Sequence, residues 1–145
     1  YYKTTTKGTL YQGGVNVPMF ISGAGVARTG TDDNLVSSTD LFATISALAG
    51  VSVNEIHDSK SFKPLLTKSV MTRSFQYAEK NDGTIDLWTI GDGSYKLIQY
   101  ANGMEELYDL NIDPYEQLNL LNGTLSSDQS NAKAELESEL LIIRQ

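Results

Sequence analysis

Hydrophobic positions in the first half of the chain predict one short strand and one helix. Residues 15–21 are mostly apolar and are bounded by glycine on both sides, which favours a largely buried strand; Pro18 moves that strand toward a sheet edge or a strand start. Apolar residues then recur at helical spacing over 40–49, after a run of hydroxyl side chains and before Gly50, so a helix with both ends marked is predicted. A short helical turn is predicted over 61–66.

The second half has a different pattern, in which short segments rich in aromatic and β-branched residues alternate with Asn, Asp and Gly. Such separators tolerate positive φ, as tight hairpin turns demand, so a four-stranded antiparallel meander is predicted. The last amphipathic segment, 126–144, predicts a helix that covers the apolar face of this sheet. The four predicted strands are 73–80, 85–90, 95–100 and 105–110.

Composition and charge exclude several classes of protein. The chain has 145 residues, a formal charge of −7 and no cysteine. Without cysteine, these residues form no disulfide, thiolate metal site or cysteine nucleophile. The basic residues are scattered, which argues against nucleic acid as a partner. No run of about 18 apolar residues is present, so no membrane span is predicted.

Lys7 is the first candidate for chemistry, because it precedes a turn of small residues and the glycine pair Gly13-Gly14. Glycine lets the backbone bend sharply before the predicted strand. A lysine at such a turn could present its ammonium group to a sulfate or phosphate anion. From spacing alone the alternative stays open, and favoured, that Lys7 is an ordinary solvated surface lysine.

The segment Lys7-Gly8-Thr9-Leu10-Tyr11-Gln12-Gly13-Gly14 resembles the lysine-glycine-threonine, tyrosine-glutamate-glycine-glycine signature of the sulfatase family, within the alkaline phosphatase superfamily. Several ordered matches of this kind are far more specific than any one of them. The other segments that resemble the family are 35–44, 61–66, 95–98, 106–110 and 113–120.

The resemblance implies an α+β C-terminal portion of an arylsulfatase-like enzyme. Residues 1–70 would hold the last strand and helix of its large α/β domain, and 71–145 a small sheet-and-helix subdomain. Lys7 would be a substrate-binding residue that contacts sulfate, and no residue is assigned as catalytic or as a metal ligand. The family usually has Glu where this chain has Gln12 and Pro where it has Ala43. Gln12 removes a charge, which puts in doubt any ion pair that the Glu would make.

The resemblance also implies cofactors and partners for a full-length parent. Calcium and a formylglycine residue, formed from Cys or Ser, would lie in the portion N-terminal to this chain, together with the catalytic histidines. The partners would be the remainder of the parent chain and a small-molecule or carbohydrate sulfate ester. These residues indicate no compartment, and the resemblance implies a periplasmic or secreted protein.

Other polar and aromatic residues favour ordinary structural roles. His57, the only histidine, is expected to be an exposed loop residue. The carboxylate pairs at 32–33 and 105–106 are left unassigned. Aromatic residues on the predicted strands could form a sugar-stacking platform, but cross-strand packing is favoured. Asn122 begins an N-glycosylation sequon, which matters only on a eukaryotic secretory route. The aromatic residues in question are Trp88, Tyr95, Tyr100 and Tyr108.

Three functional hypotheses follow. The first is that the full-length parent hydrolyses sulfate esters while this piece alone is inactive and binds no calcium tightly. The second is that these residues form a non-catalytic structural or oligomerisation module. The third is that the parent acts on phosphate mono- or diesters.

Overall fold

The computed structural model describes residues 6–53, 57–81 and 83–145. In these residues the helices are α1 (Gln12–Val15), α2 (Asp40–Leu48) and α3 (Ser127–Ile143), with 3₁₀ turns at Lys63–Leu66 and Leu120–Asn122. The strands are β1 (Gln76–Asn81), β2 (Asp86–Gly91), β3 (Tyr95–Tyr100) and β4 (Glu105–Asp109).

The four strands form one sheet in sequence order, and β3 pairs antiparallel with both β2 and β4. Leu97 on β3 lies opposite Ile90 on β2 and Leu107 on β4, and all three side chains are fully buried. Gly103, between β3 and β4, has a φ of 86°, a conformation that glycine adopts without strain. The predicted meander and the α+β class are therefore confirmed.

Helix α3 covers this sheet, as predicted. It begins with a capping box in which Gln129 N donates to the Ser126 hydroxyl at 3.2 Å and Ser126 N donates to Gln129 Oε1 at 2.9 Å. Leu136 and Leu140 are buried on the side of the helix that contacts β2 and β3. Each such buried leucine contributes about 1.5–3 kcal/mol of transfer free energy, so the helix and the sheet stabilise each other.

The described residues of Met19–Gln76 form a compact unit of their own. The prediction of a helix here is confirmed by α2, but its buried side is polar: Asp40 and Thr44 are buried, whereas Ile45 is 62% exposed. Thr44 Oγ1 accepts a hydrogen bond from the backbone N–H of Phe62, which is also buried. The polar side of α2 therefore holds this unit together through side-chain contacts with the backbone.

Asp40 is the centre of that unit. Its carboxylate accepts hydrogen bonds from the backbone N–H groups of Ser37 and Lys60, each at 2.8 Å, and from Arg73 Nε at 3.0 Å. Burial alone would raise the pKa of Asp40, but the Arg73 guanidinium and the two N–H groups outweigh it and hold the pKa below its usual value. The ion pair thus links the start of α2 to the segment before β1.

The prediction of a strand over 15–21 is wrong. Val15 N donates to Tyr11 O at 3.1 Å and Asn16 N donates to Gln12 O at 2.9 Å, so the chain closes a helical turn where strand was expected. Residues 16–21 belong to neither helix nor strand in the structure, and Phe20 is 93% exposed. A strand forms only where a neighbour satisfies its backbone groups, and the described residues provide none here.

The division of the chain into 1–70 and 71–145 stays a prediction. In the structure, the described residues of Tyr1–Pro18 group with Tyr77–Gln145 in one compact unit, and Met19–Gln76 form the other. The turn that carries Lys7 therefore belongs to the unit that contains the sheet.

Candidate functional site

Lys7 lies on a tight turn that precedes α1, and its side chain is exposed. Thr6 and Gly8 on either side have φ values of 52° and 76°. Thr9 closes the turn, because both its backbone N–H and its hydroxyl donate to the Thr6 carbonyl, at 3.2 and 2.8 Å. The turn thus presents the ammonium group on a backbone that two local hydrogen bonds constrain, and the sulfate-binding role of Lys7 stays a prediction.

Gly14 explains why the glycine pair follows this turn. A Cβ placed on Gly14 would clash with the Thr9 carbonyl oxygen and would lie 2.5 Å from the Thr6 carbonyl oxygen. Both contacts are with backbone atoms, which a rotamer change cannot relieve. Glycine at position 14 therefore allows α1 to pack directly onto the Lys7 turn.

Replacing Gly14 with alanine is expected to destabilise the unit that contains the sheet by about 1–3 kcal/mol, the usual cost of overpacking. Urea unfolding of the 145-residue chain measures this difference. Gly123→Ala is the matched control, because its Cβ would meet no atom closer than 3.9 Å. Equal unfolding midpoints for the two variants would show that the close approach is unimportant.

Tyr11, just after the turn, reaches a carboxylate on the sheet. Three phenol groups converge on Glu106: Tyr11 donates at 2.9 Å, Tyr108 at 2.6 Å and Tyr100 at 3.1 Å. The Tyr11 and Tyr108 rings also pack edge to face, with centroids 6.3 Å apart. This cluster attaches the segment after Lys7 to strands β3 and β4.

The tyrosines in this cluster remain protonated. Burial is the largest cause that raises the pKa of Tyr11 and of Tyr108 far above the ordinary value, and hydrogen bonds to the Glu106 carboxylate raise both further. A phenol with such a pKa donates a hydrogen bond and is a poor nucleophile or base. The geometry and the raised pKa values therefore fit a cluster that anchors the segment after Lys7 to the sheet.

Glu116 forms a second link between the same two parts. Its Oε2 accepts a hydrogen bond from the backbone N–H of Gln12 at 2.6 Å, and its Oε1 lies 2.7 Å from Lys96 Nζ. Glu116 is fully buried and Lys96 is 4% exposed. Burial lowers the pKa of Lys96, and the Glu116 carboxylate offsets part of that effect.

Sequence reasoning missed Lys96, Glu106 and Glu116 as parts of the site. The sequence offers Glu106 only as one of two adjacent carboxylates and as part of the family-like segment 106–110, and Glu116 only as part of the family-like segment 113–120. A usable signal was present. Lys96 lies between Tyr95 and Leu97 in a predicted strand of mostly apolar and aromatic residues, where a lysine is uncommon unless it is paired. A lysine inside a strand of this kind indicates a buried acidic partner.

Three of the four aromatic residues that could form a sugar-stacking platform contact other side chains in the described part of the chain. Arg144 lies over the Trp88 ring at 3.5 Å from its centroid, and the hydroxyl groups of Tyr100 and Tyr108 point to Glu106. The favoured alternative, packing among the strands, agrees with Tyr108 being buried in a cluster with Leu87 and Ile98.

The remaining polar candidates lie at the surface. His57 is exposed, and Asp33 is exposed. Asp32 forms an ion pair with Arg28 and accepts a hydrogen bond from Asn34 N at 2.8 Å; these contacts, that of the Asn34 backbone foremost, lower the pKa of Asp32 to about 2. Asn122 is exposed at the end of a 3₁₀ turn.

Two further observations concern the described part of the chain only. Across 6–53, 57–81 and 83–145, no group of three or more His, Asp or Glu side chains converges as metal ligands. None of the helices found in these same ranges has both the length and the apolar character needed to cross a membrane.

Comparison with known proteins gives consistent matches along the whole chain. The family model described as N-sulphoglucosamine sulphohydrolase, C-terminal, matches residues 2–145. Human arylsulfatase A is 30% identical over 161 aligned residues, which cover 93% of this chain and 32% of the relative. Choline-sulfatase of Rhizobium meliloti is 31% identical, over 79% of this chain and 23% of the relative. The chain thus spans at most about a third of these relatives.

Solved structures give the same result. A protein of Bacteroides thetaiotaomicron described as a sulfatase superposes with a TM-score of 0.79 at 27% identity, over 91% of this chain and 30% of that one. A 2-O GAG sulfatase superposes with a TM-score of 0.63 at 25% identity, over 83% of this chain and 27% of that one. The phosphonate monoester hydrolase of Agrobacterium radiobacter shares the fold, with a TM-score of 0.59 at 22% identity over 77% of this chain and 25% of that one.

Proposed function

Because the chain belongs to the sulfatase family, through a C-terminal domain of the N-sulphoglucosamine sulphohydrolase type, we propose that it is part of an enzyme that hydrolyses sulfate esters. The observation that supports a direct role is the position of Lys7. It is an exposed lysine on a constrained turn whose following residues are tied to the buried sheet. These residues form the C-terminal portion of the proposed enzyme, which is called the complete enzyme below.

In this proposal Lys7 is a substrate-binding residue. Its ammonium group binds an oxygen of the sulfate group, and its charge stabilises the negative charge that increases on oxygen as the ester bond breaks. A lysine carries a compact charge with three donors, which suits a tetrahedral anion. The turn fixes where the side chain starts, so less orientational freedom is lost when the substrate binds.

We propose that calcium and formylglycine, which the family resemblance implies, are held by other parts of the complete enzyme. The described residues of this chain bring no three metal-ligating side chains together, and the sequence has neither a cysteine nor a serine followed two residues later by proline. Formylglycine supplies the nucleophile in such enzymes when it is present. These 145 residues contribute the sulfate contact at Lys7 and the scaffold that holds it.

The partner that this proposal requires is the rest of the complete enzyme. Large apolar side chains are exposed in both units: Val17 is 72% and Phe20 93% exposed in the segment after α1, and Phe42 and Ile45 on α2 are 52% and 62% exposed. Exposed apolar surface of this kind usually marks an interaction site. We propose that the preceding part of the enzyme covers these residues.

The relatives differ in what their names say they act on, from arylsulfatase A to choline-sulfatase. The proposal therefore concerns the sulfate group and not the alcohol to which it is attached, which can be aryl, carbohydrate or another small molecule. Hydrolysis of phosphate esters is the second candidate, favoured by the fold shared with the phosphonate monoester hydrolase. For the isolated chain, the proposal is a purely structural module.

An assay of the complete enzyme distinguishes these candidates. It compares sulfate esters of aryl and carbohydrate alcohols with the phosphate esters of the same alcohols. We expect kcat/KM for the best sulfate ester to exceed that for its matched phosphate ester by at least about tenfold, or about 1.4 kcal/mol of transition-state stabilisation. The isolated 145-residue chain, as the control, should hydrolyse neither ester. A preference for phosphate, or turnover by the isolated chain, would contradict the proposal.

A further inference from the structure

Glu116 has an unusual conformation for a buried acidic residue. It lies in the turn between β4 and the second 3₁₀ segment, with a φ of 55° and a side chain that is fully buried. A non-glycine residue with positive φ is uncommon, and it persists only where the surrounding structure holds it. The turn itself is closed by a hydrogen bond from Glu116 N to Asp113 O at 3.0 Å.

The carboxylate contacts both the sheet and α1. One oxygen lies 2.7 Å from Lys96 Nζ on the central strand β3, and the other accepts the Gln12 backbone N–H at 2.6 Å. Gln12 is the first residue of α1, so its N–H has no acceptor within that helix. Glu116 therefore supplies the acceptor that this end of α1 lacks, and Lys96 balances the buried charge.

The contact with Gln12 also fixes the turn that carries Lys7. Gly14, two residues beyond Gln12, packs against the carbonyl oxygens of Thr6 and Thr9, which are the residues that flank Lys7 and Gly8. A shift of α1 would move those carbonyl groups, because the contact leaves no space. The chain of contacts runs from Lys96 on the sheet through Glu116 and α1 to the Lys7 turn.

We propose that Glu116 is a positioning residue that holds the Lys7 turn in the geometry that binds sulfate. This inference rests on the proposed role of Lys7 and adds a residue that acts through it. Tyr11, bound to Glu106, attaches the same segment at a second point. The contact of Glu116 differs from that of Tyr11, because Glu116 binds the backbone of α1 whereas Tyr11 is bound through its side chain.

A matched pair of double variants tests the proposal. Lys96→Met with Glu116→Leu removes the acceptor of Gln12 N–H without leaving a buried charge unpaired, and such apolar replacements of buried ion pairs are often neutral for stability. Lys96→Met with Glu116→Gln removes the same charges but keeps a carbonyl acceptor at that position. The two double variants therefore differ chiefly in the acceptor for Gln12.

The first measurement is amide hydrogen exchange of Gln12 in the 145-residue chain. We expect exchange about tenfold faster or more with Glu116→Leu than with Glu116→Gln in the Lys96→Met background. The unmodified chain provides a test that does not depend on a variant folding. Its Gln12 N–H should be protected from exchange, although Gln12 is the first residue of a helix. Equal exchange in the two variants, or an unprotected Gln12 in the unmodified chain, would overturn the proposal.

The second measurement is kcat/KM for sulfate-ester hydrolysis by the complete enzyme. The Glu116→Leu double variant should lose about tenfold, and the Glu116→Gln double variant should stay within about twofold of the parent. In the Lys7→Ala background, adding Lys96→Met with Glu116→Leu should cause no further loss of kcat/KM, since the effects of substitutions at residues that act as one unit are not additive. A full additional loss without Lys7 would overturn positioning and indicate a general structural role.

The outcomes also separate this inference from the proposed function. If Lys7→Ala keeps full activity, the proposed role of Lys7 fails, whatever the exchange rates show. If Lys7→Ala loses activity and both double variants keep it, the proposed function stands and the positioning role of Glu116 is overturned. Glu137→Gln is the control for loss of a carboxylate, since Glu137 pairs with Lys133 within α3.

Discussion

Replacing Lys7 with alanine in the complete enzyme is expected to lower kcat/KM for sulfate-ester hydrolysis by about 10²–10³-fold, the effect typical of removing one group that stabilises charge in the transition state. Lys7 is exposed and lies outside the buried core of the 145-residue chain. The midpoint of thermal unfolding should therefore change little, since surface substitutions usually cost within about 0.5 kcal/mol.

Lys68→Ala is the control for this experiment. It removes the same charge from another exposed position, in the segment before β1, and should leave kcat/KM within about twofold of the parent. Lys7→Arg adds a second comparison, because a planar guanidinium keeps the charge but changes the donor geometry. Parent-like kcat/KM for Lys7→Ala would remove Lys7 from the active site.

Replacing Asp40 with asparagine is expected to destabilise the unit Met19–Gln76 by up to about 3–5 kcal/mol, because the buried Arg73 guanidinium loses its nearer anion and is left with the Asp58 carboxylate, 3.8 Å away. Amide hydrogen exchange of α2 in the 145-residue chain measures this local unfolding. Asp33→Asn, an exposed carboxylate of the same unit, is the control. Parent-like protection of α2 in Asp40→Asn would show that the ion pair does not hold the unit.

The same residue gives a pH dependence with a defined sign. The pKa of Asp40 in the folded chain lies below the ordinary value of 3.8, so its contribution to stability is complete above that value. The contribution is lost as the pH falls through the lowered pKa, where the carboxylate takes up a proton. Protection of α2 in the parent chain should therefore fall in this acid range, and Asp40→Asn should show a smaller change.

Local signals were enough to predict most elements of the fold. Gly103 indicated the turn between β3 and β4, because its position needs positive φ, and the amphipathic spacing of apolar residues over 126–144 indicated α3. The helix from Asp40 was predicted for the same kind of reason. In each case the deciding interaction lies within a few residues along the chain.

The predictions that failed, or were never made, depend on distant contacts. The hydrogen bond from Tyr11 to Glu106 joins residues 95 positions apart, and that from Gln12 to Glu116 joins residues 104 positions apart. The strand predicted over 15–21 failed because apolar composition alone cannot provide a partner strand. The sequence indicated Lys7 through its turn and its family signature, whereas the contacts that hold the turn join residues far apart along the chain.

The most direct test of the central claim is a crystal structure of the complete enzyme with inorganic sulfate or an unreactive sulfate-ester analogue bound at its active site. We expect Lys7 Nζ to lie about 2.7–3.2 Å from a sulfate oxygen, with Gln12 N–H still donating to Glu116. A bound sulfate group at the active site that Lys7 Nζ does not reach, with other side chains supplying all of its donors, would contradict the claim.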